Sequence, residues 1–183
     1  KTNNFQIIKE DIVNNKLENP QKVFFDSDDY SVGHPSLTED GQWLFFASDM
    51  PGGIGETDLY YVKIAADGTM SSPVNLGPKI NTIGNDLFPF FRNGKLYFSS
   101  DGHYGYGDLD VYESSFLSDG SFSDPVNLGP PINSNKDDFA FIIDNQENYG
   151  YVSSNRAEGK GDDDIYSFFK GKPVCNQSIS GMA

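Results

Sequence analysis

Short hydrophobic segments alternate with polar, glycine-rich segments along the 183 residues of the chain. The clearest hydrophobic segments are Trp43-Leu-Phe-Phe-Ala-Ser48, Leu96-Tyr-Phe-Ser-Ser100 and Tyr149-Gly-Tyr-Val-Ser153. Segments of this kind, rich in aromatic and β-branched residues and bounded by Gly, Asp, Asn or Ser, predict β-strands. No stretch has the amphipathic period of a long helix, and no apolar run is long enough to span a bilayer. The pattern therefore predicts an all-β fold without a membrane span.

Three of these strands are followed by the same kind of glycine-rich loop and then by a second strand of one type. The stretches run from Phe46 to Tyr60, from Phe98 to Tyr112 and from Val152 to Tyr166, and each ends in Asp, an aliphatic residue and Tyr. The equivalent residues Asp49, Asp101 and Asn155 are 52 and 54 positions apart, and Val74-Asn-Leu-Gly-Pro78 recurs as Val126-Asn-Leu-Gly-Pro130. Repeats of about fifty residues built from short strands are typical of β-propeller blades or of a β-solenoid.

Each repeat is long enough for the four strands of one propeller blade. In the first repeat the strands are predicted at 34–37, 43–48, 59–64 and in the segment that ends at 76, joined by tight turns. The predicted units are blades at 30–82, 83–134 and 135–172, preceded at 1–29 by the outer strands of another blade, Phe5–Ile12 and Lys22–Phe25. About three and a half blades are fewer than the roughly four to eight that close a propeller. We therefore predict a partial β-propeller of four-stranded antiparallel blades, completed by blades missing from this sequence or by a second copy.

The predicted connections differ between the two faces of the blades. The turns between strands one and two and between strands three and four lie on one face and are tight. The other face carries the glycine-rich loops 49–57, 101–109 and 155–163 and the connections 77–86 and 129–138. We call this second surface the long-loop face and expect a partner to bind there, because loops on a rigid scaffold carry most binding residues. The candidate binding residues are Asp49, Glu56, Asp58, Asp101, His103, Tyr104, Tyr106, Asp108, Asp110, Arg156, Asp162 and Asp163.

The chain is strongly acidic, with 27 Asp and Glu against 13 Lys and Arg and a formal net charge of −14. This charge repels nucleic-acid phosphates and anionic lipid, so nucleic-acid binding is not expected. The single cysteine, Cys175, excludes an internal disulfide.

The carboxylates of the glycine-rich loops allow two interpretations. Oxygen ligands on flexible loops suit Ca²⁺, and the candidate ligands are Asp108, Asp110, Asp162 and Asp164. However, an Asp that opens a strand beside a glycine turn commonly accepts backbone N–H groups and shapes the loop, and no EF-hand spacing is present. We therefore predict no cofactor, with bound calcium as the alternative.

Other candidate chemistry is sparse. His34 and His103 have no second His or Cys near them in the sequence, so zinc is not expected, and His34 is predicted to bond to the backbone. The serines that end each second strand repeat as structural residues would, whereas catalysis needs one asymmetric set of side chains. Tyr104 and Tyr106 lie in a glycine loop without a core period. They either form a recognition patch for protein or glycan, or fold back onto their own blade.

A family resemblance follows from these strings. His34-Pro-Ser-Leu-Thr-Glu-Asp-Gly41, with Leu44-Phe-Phe-Ala-Ser-Asp49 and Asp58-Leu-Tyr60, resembles the PD40 (WD40-like) repeat of the TolB-type propeller. Ser48-Asp-Met-Pro-Gly-Gly53 and Leu96-Tyr-Phe-Ser-Ser-Asp-Gly-His103 are more narrowly similar to the propeller of OmpA-family envelope proteins of Bacteroidetes. PorE-like members of that family have a TPR region, a propeller, a carboxypeptidase-regulatory-like domain and an OmpA-like peptidoglycan-binding domain. The resemblance covers about residues 30–166 and implies that 173–183 is a linker and the start of a truncated regulatory-like domain.

The resemblance implies a periplasmic, outer-membrane-associated protein, and the repeat symmetry predicts an interaction scaffold that is not an enzyme. Its expected partners are other envelope proteins, among them an outer-membrane barrel of the PorP/SprF kind in the type IX secretion or gliding machinery. Peptidoglycan would be bound only through a domain outside this sequence. Two alternatives belong to other classes. One is a propeller hydrolase acting on glycans or peptides, which needs carboxylates from different blades at the central channel. The other is a calcium-dependent glycan-binding module.

Overall fold

The structure, a computed structural model, describes residues 4–157 and 159–171. These residues form thirteen β-strands and no helix, so none of them belongs to a helix that could cross a membrane. The strands are β1 (Ile8–Val13), β2 (Lys16–Lys22), β3 (Val32–Leu37), β4 (Trp43–Ser48), β5 (Asp58–Lys63), β6 (Val74–Asn75), β7 (Asp86–Arg92), β8 (Lys95–Ser100), β9 (Asp110–Ser115), β10 (Val126–Asn127), β11 (Asp138–Ile143), β12 (Tyr149–Ser154) and β13 (Asp164–Phe169).

All strands after β2 belong to three antiparallel sheets that follow one another along the chain. Blade 1 has the order β3-β4-β5-β6, blade 2 has β7-β8-β9-β10, and blade 3 has β11-β12-β13. The first strands of successive blades are neighbours, because β3 contacts β7 and β7 contacts β11. Meandering sheets arranged around adjacent innermost strands are the blades of a β-propeller. The predicted fold class, a partial β-propeller, is confirmed.

Apolar side chains fill the layers between the blades. Between blades 1 and 2, Phe45 stacks on Phe91 with ring centroids 5.2 Å apart, and Ile80 from the connecting segment completes the layer. Between blades 2 and 3, the rings of Tyr97 and Phe141 are 4.9 Å apart. Burying an aromatic side chain of this size contributes about 1.5–3 kcal/mol to folding. The aromatic residues of the repeats therefore form the core between blades.

The amino-terminal hairpin differs from the prediction in its second strand. β1 pairs with β2 through a turn at Asn14 and Asn15, which both have positive φ, as a two-residue hairpin turn requires. The predicted strand Lys22–Phe25 is wrong, because the paired strand is Lys16–Lys22 and the chain leaves the sheet just where it becomes apolar.

The apolar residues after β2 serve packing instead of strand pairing. Val23 and Phe25 join Ile7 in a buried cluster against blade 1. Phe25 stacks on Phe46 with centroids 4.7 Å apart. This segment therefore covers the face of blade 1 that points away from blade 2.

Blade 3 keeps one open edge and one open face. β13 pairs with β12 on one side, and no strand of the described residues lies on its other side. The register makes Ile165 of β13 equivalent to Val111 of β9, because each pairs with the second-to-last residue of the preceding strand. Val111 is completely buried, whereas Ile165 is 76% exposed. The face of blade 3 that points away from blade 2 is thus exposed, whereas the next blade covers the equivalent faces of blades 1 and 2.

Each innermost strand carries the same distortion. β3, β7 and β11 shift register in the middle, and there His34, Phe88 and Ala140 have φ angles of 51°, 52° and 51°. Such a bulge bends the strand and increases its twist. The imidazole Nδ1 of His34 accepts the N–H of Phe88 at 3.4 Å, and the two rings stack at 3.9 Å. The predicted backbone contact of His34 is therefore confirmed.

Candidate functional site

Each glycine-rich loop is held by the Asp that opens the next strand. The carboxylate of Asp58 accepts the N–H groups of Ile54 and Gly55 at 2.6 and 3.0 Å. Asp110 and Asp164 bind their own loops in the same way, through the residues four and three positions before them. A glycine-rich loop leaves such backbone donors without partners, and the carboxylate satisfies them. These Asp residues therefore shape the loops, and their charges point inward.

The loop glycines make room for this arrangement. A Cβ atom at Gly53 would lie 2.7 Å from the carboxylate of Asp58 and 3.1 Å from the hydroxyl of Tyr60. Gly105 and Gly159 are packed in the same way against the Asp and the Tyr of their own repeats. The recurring Asp-aliphatic-Tyr motif and the loop glycine thus form one unit, which we call the loop clamp.

A second polar contact fixes the start of each innermost strand. Asp49, Asp101 and Asn155 each accept the N–H of the residue that precedes that strand, at 2.6, 2.6 and 2.9 Å. In blade 2 the amide of Asn85 also donates to Glu56 at 3.1 Å and to Asp101 at 3.0 Å. These contacts join the glycine-rich loops to the blade connections, which confirms that both lie on one face.

Two asparagines in each of blades 1 and 2, one half-buried and one buried, support the site, although the sequence pattern does not reveal their role. Asn81 accepts the N–H of Leu59 at 2.8 Å and donates to its carbonyl at 3.0 Å, as a neighbouring strand would. Asn81 also donates to Asn75, whose amide donates to Asp58 at 2.7 Å. The same bonds recur in blade 2. The available signal is that both asparagines recur 52 positions later in the sequence.

Two of the candidate binding residues, His103 and Arg156, are turned toward the connections. His103 Nε2 donates to the carbonyl of Ile80 at 2.9 Å. The guanidinium of Arg156 donates to the carbonyls of Pro131 and Ile132 at 3.0 and 2.6 Å. Both side chains fasten a glycine-rich loop to the preceding connection, so neither presents a free charge to a partner.

The same two side chains face buried carboxylates. Arg156 forms an ion pair with the fully buried Asp138 at 2.5 Å. Asp86 holds the equivalent position in blade 2 and accepts the N–H of Thr82 at 2.6 Å, but its Oδ1 has no hydrogen-bond partner among the described residues. Burial raises the pKa of Asp86, and hydrogen bonds and the charge of His103 offset part of this effect. Blade 3 thus neutralises its buried carboxylate more completely than blade 2.

The side chains that the loops leave exposed are aromatic, aliphatic and acidic. Tyr104 is completely exposed, Tyr106 is 57% exposed, and Ile83 on the adjacent connection is 85% exposed. The exposed carboxylates on the same face are those of Asp49, Glu56, Asp101, Asp108, Asp162 and Asp163. Both tyrosines protrude from the loop and are not folded back onto their own blade. The long-loop face is therefore an acidic surface with protruding apolar groups.

The candidate calcium ligands do not converge. Asp110 is buried and bound to backbone N–H groups, whereas Asp108 is exposed. Asp164 binds its own loop, and Asp162 is exposed. Within residues 4–157 and 159–171, no group of three or more His, Cys, Asp and Glu is arranged to hold a metal ion. These side chains do not form the cage of about six to eight oxygens that Ca²⁺ takes.

The innermost strands offer little polar chemistry toward the propeller axis. A cavity of 180 Å³ between them is lined by His34, Pro35, Ser36, Phe88, Pro89, Phe90, Ala140, Phe141 and Ile142. No carboxylate lines it. Asp86 and Asp138, which open two of these strands, are buried and related by the repeat. The inner strands therefore bring no pair of unlike carboxylates to this cavity, such as glycoside hydrolysis uses.

No protein-family model matches the chain. No curated protein sequence matches it either. Among solved structures, the chain is similar to a prolyl endopeptidase, at 16% identity and a TM-score of 0.48, over 82% of this chain and 20% of that one. It is also similar to the α-L-arabinofuranosidase from Lactobacillus brevis, at 14% identity and a TM-score of 0.46, over 85% and 57%. A thermostable family-43 glycoside hydrolase is similar at 12% identity and a TM-score of 0.45, over 90% and 64%. The chain spans less than two thirds of the length of each of these proteins.

Proposed function

We propose that this chain is a non-enzymatic binding scaffold that docks a partner protein on the long-loop face. The observation that carries the proposal is the division of each glycine-rich loop into a fixed base and an exposed tip. Asp110 holds the base of loop 101–109, while Tyr104 and Tyr106 protrude from it. Aromatic side chains on a rigid support lose little entropy on binding and are frequent anchors of protein interfaces.

The charge of the face defines the partner that suits it. Exposed carboxylates surround the tyrosines, and the whole chain has a formal net charge of −14. A surface with Lys or Arg around an apolar recess is complementary in both respects. Electrostatic attraction of this kind speeds association and selects the orientation of docking.

The biological setting rests on the resemblance to OmpA-family envelope proteins. Under that resemblance, we propose a periplasmic, outer-membrane-associated protein of the PD40 propeller type. Its partner would be an envelope protein of the type IX secretion or gliding machinery, such as an outer-membrane barrel of the PorP/SprF kind. The basic surface described above is the feature to look for on that partner.

Binding of the purified chain to detergent-solubilised envelope proteins tests the proposal. The double variant Tyr104→Ala with Asp108→Lys removes one anchor and reverses one exposed charge in loop 101–109. We expect at least a tenfold loss of affinity, on the order of what an interface anchor contributes. Asp119→Lys is the control, because it makes the same charge change in the tight turn after β9, on the opposite face.

Equal binding by the double variant and the wild-type chain would contradict docking on this face. The named neighbours are hydrolases, and the hydrolase alternative has its own readout. Turnover of an arabinoside or a prolyl peptide by the purified chain, lost on substitution of an inner-strand carboxylate, would contradict a scaffold without enzymatic activity.

A further inference from the structure

A cavity between blades 1 and 2 opens on the face of the tight turns, opposite the long-loop face. Its volume is 320 Å³, which falls in the range of about 300–1,000 Å³ that small-molecule sites have. It lies between the turn that joins β3 to β4 and the turn that joins β7 to β8. Both blades have all four strands, so the cavity is built by complete blades in the middle of the chain.

Four aromatic side chains form the walls of the cavity. The rings of Trp43 and Phe91 each lie within 10° of the plane of Phe45, so they are nearly parallel to each other. Phe116 stands across them, at 69° to Trp43 and 78° to Phe91, with centroid distances of 5.7 and 6.2 Å. Phe45 is buried, and the other three rings are half-buried. We call this set of four rings the aromatic box.

The charged residues that line the cavity are both acidic, and both are exposed at its rim. They are Glu39 and Asp40. The Oδ1 atom of Asp40 accepts the hydroxyl of Thr38 at 2.6 Å and the N–H of Gln42 at 3.0 Å. These bonds fix the carboxylate in its turn, and they lower the pKa of Asp40, the bond from Thr38 most of all. Asp40 is therefore ionised at neutral pH.

Two basic side chains lie near the cavity but do not line it. Arg92 pairs with Glu39 at 2.5 Å, which compensates the charge of Glu39. The Nζ atom of Lys63 lies 4.8 Å from the centre of the Trp43 ring, and Lys63 lines a neighbouring cavity. The Trp43 ring thus already attracts one cation within the chain, and Asp40 supplies the rim charge that Arg92 does not compensate.

The aromatic box departs from the repeat. Equivalent backbone bonds to the preceding turn make Lys170 the counterpart of Phe116. The strand register makes Lys95 the counterpart of Trp43. At the junction of blades 2 and 3, both lysines lie 3.9 Å from the carboxylate of Glu147. Packing of two blades therefore does not require aromatic residues at these positions, and a bound ligand gives a reason for them.

We propose that the aromatic box binds a quaternary ammonium ion, such as choline. Aromatic rings attract such cations through their negative faces, and the carboxylate of Asp40 supplies the opposite charge. A primary ammonium is strongly hydrated and would lose hydrogen bonds among the rings, whereas a quaternary ammonium has no N–H to satisfy. The site lies on the face opposite the long loops and does not depend on the function proposed for that face.

The single tryptophan of the chain, Trp43, reports on the site directly. The full chain is titrated with choline at constant ionic strength, and the fluorescence of Trp43 and the heat of binding are followed. We expect saturable binding. The neutral isostere, in which a tert-butyl group replaces the trimethylammonium group, should bind at least about tenfold more weakly, because it lacks the attraction to the rings and the carboxylate.

Two variants of the chain separate the rings from the charge. Phe116→Leu keeps an apolar wall but removes one ring, and it should reduce the preference for choline over the isostere at least about threefold. Asp40→Asn keeps the oxygen that the turn needs and removes the charge, and it should weaken choline binding at least about threefold. Asp119→Asn is the matched control, because Asp119 accepts the same kind of bonds in another tight turn and does not line the cavity. It should leave choline binding unchanged.

Vesicles of phosphatidylcholine carry the same head group and distinguish its two sources. Flotation of the chain with these vesicles, reversed by free choline, would assign the site to a lipid head group. Binding of free choline without flotation would assign it to a soluble ligand. Both results support the site.

Absence of saturable choline binding overturns the proposal. Equal affinities for choline and the isostere overturn it as well, because the box would then recognise shape without charge. An equal loss of binding in Asp40→Asn and Asp119→Asn would show a general effect of net charge and no role for the rim carboxylate. Saturable binding of a neutral sugar without binding of choline would assign the aromatic box to carbohydrate instead.

Discussion

At the scale of single residues, the recurring carboxylates are structural groups with inward-pointing charges. Asp58 and Asp110 are buried, and each carboxylate accepts two backbone N–H groups and one Asn amide. In Asp110 all three bind Oδ2, and Oδ1 has no hydrogen-bond partner among the described residues. Hydrogen bonds of this kind stabilise the ionised form and make its desolvation tolerable. Among the exposed carboxylates, Asp49 and Asp101 accept the N–H that precedes an innermost strand. Asp108, Asp162 and Asp163 make no side-chain hydrogen bond among the described residues, so neighbouring Asp residues have different roles.

The loop clamp of blade 2 can be tested with a pair of variants. Asp110→Ala leaves the loop N–H groups without their acceptor, and we expect the free energy of unfolding to fall by about 1–3 kcal/mol. Urea unfolding at neutral pH measures the change. Asp108→Ala is the control, because the side chain is exposed, and it should change stability by less than about 0.5 kcal/mol. Similar losses for both variants would contradict the clamp.

Asp86 gives a prediction that depends on pH. Burial raises its pKa above the ordinary value of 3.8, so the folded chain holds this proton more tightly than the unfolded chain. Ionisation of Asp86 therefore lowers the free energy of unfolding as pH rises through the interval between the two pKa values. Asp86→Asn removes that ionisation. We expect the stability of the variant relative to wild type to increase as pH rises through this interval, measured by urea unfolding.

Asp138→Asn is the control for Asp86→Asn, since it makes the same change at the equivalent position of blade 3. It leaves Arg156 without its buried carboxylate, so it should destabilise the chain at neutral pH. If the free energies of unfolding of Asp86→Asn and of wild type changed with pH in the same way, Asp86 would not be the group whose ionisation lowers the stability.

At the scale of elements, the hydrophobic pattern predicts the inner strands well and the edges of the sheets less well. β4, β8 and β12 lie where the apolar runs are. The runs of β4 and β8 are buried between blades, and β12 is buried on one face. The apolar run after Lys22 is not a strand, because burial against blade 1 does not require strand pairing. A hydrophobic pattern predicts which residues are buried. Which strands pair also depends on the turn between them, and the turn between β1 and β2 is set by Asn14 and Asn15.

The candidate site was predictable only in part for a related reason. The order of the strands predicts that the long loops share one face, and the sequence repeat identifies the carboxylates of those loops. The direction of His103 and Arg156 depends on carbonyl groups of Ile80 and Ile132, which come from another part of the chain. Spacing along the sequence contains no signal for such contacts.

The amino-terminal segment gives a prediction at this scale. Phe25 stacks on Phe46 and is buried, whereas its neighbour Phe24 is 64% exposed. Phe25→Ala should lower the free energy of unfolding by about 3–5 kcal/mol, as truncation of a buried Phe does. Phe24→Ala should change it by less than about 0.5 kcal/mol. Urea unfolding of both variants measures the difference, and equal effects would contradict the covering role of this segment.

At the scale of the whole molecule, the three blades are equivalent in sequence but not in surroundings. Blade 1 is covered by the segment around Phe25, and blade 2 is covered on both faces. Blade 3 is covered on one face only, within the part of the chain that the structure describes. We therefore expect the lowest local stability in blade 3, since local opening is easiest where few apolar groups are buried.

Equivalent substitutions in blades 2 and 3 test this difference. Val111→Ser puts a hydroxyl in a buried layer and should lower the free energy of unfolding by about 2 kcal/mol or more. Ile165→Ser changes the exposed equivalent and should alter stability by less than about 0.5 kcal/mol. Thermal and urea unfolding at several protein concentrations measure both. A large effect of Ile165→Ser would mean that another surface covers this face in solution.

The loop clamp also separates the parts of each loop that tolerate change from those that do not. In loop 101–109 the fixed positions are Gly105 and Gly107, because a Cβ there would collide with the carboxylate of Asp110 or with the backbone of Lys136. The tip positions Tyr104, Tyr106 and Asp108 are exposed. Randomising only these tip positions and their equivalents in the loops of blades 1 and 3 would give a library of binding surfaces on one unaltered framework. Chains that bind new partners could be selected from that library.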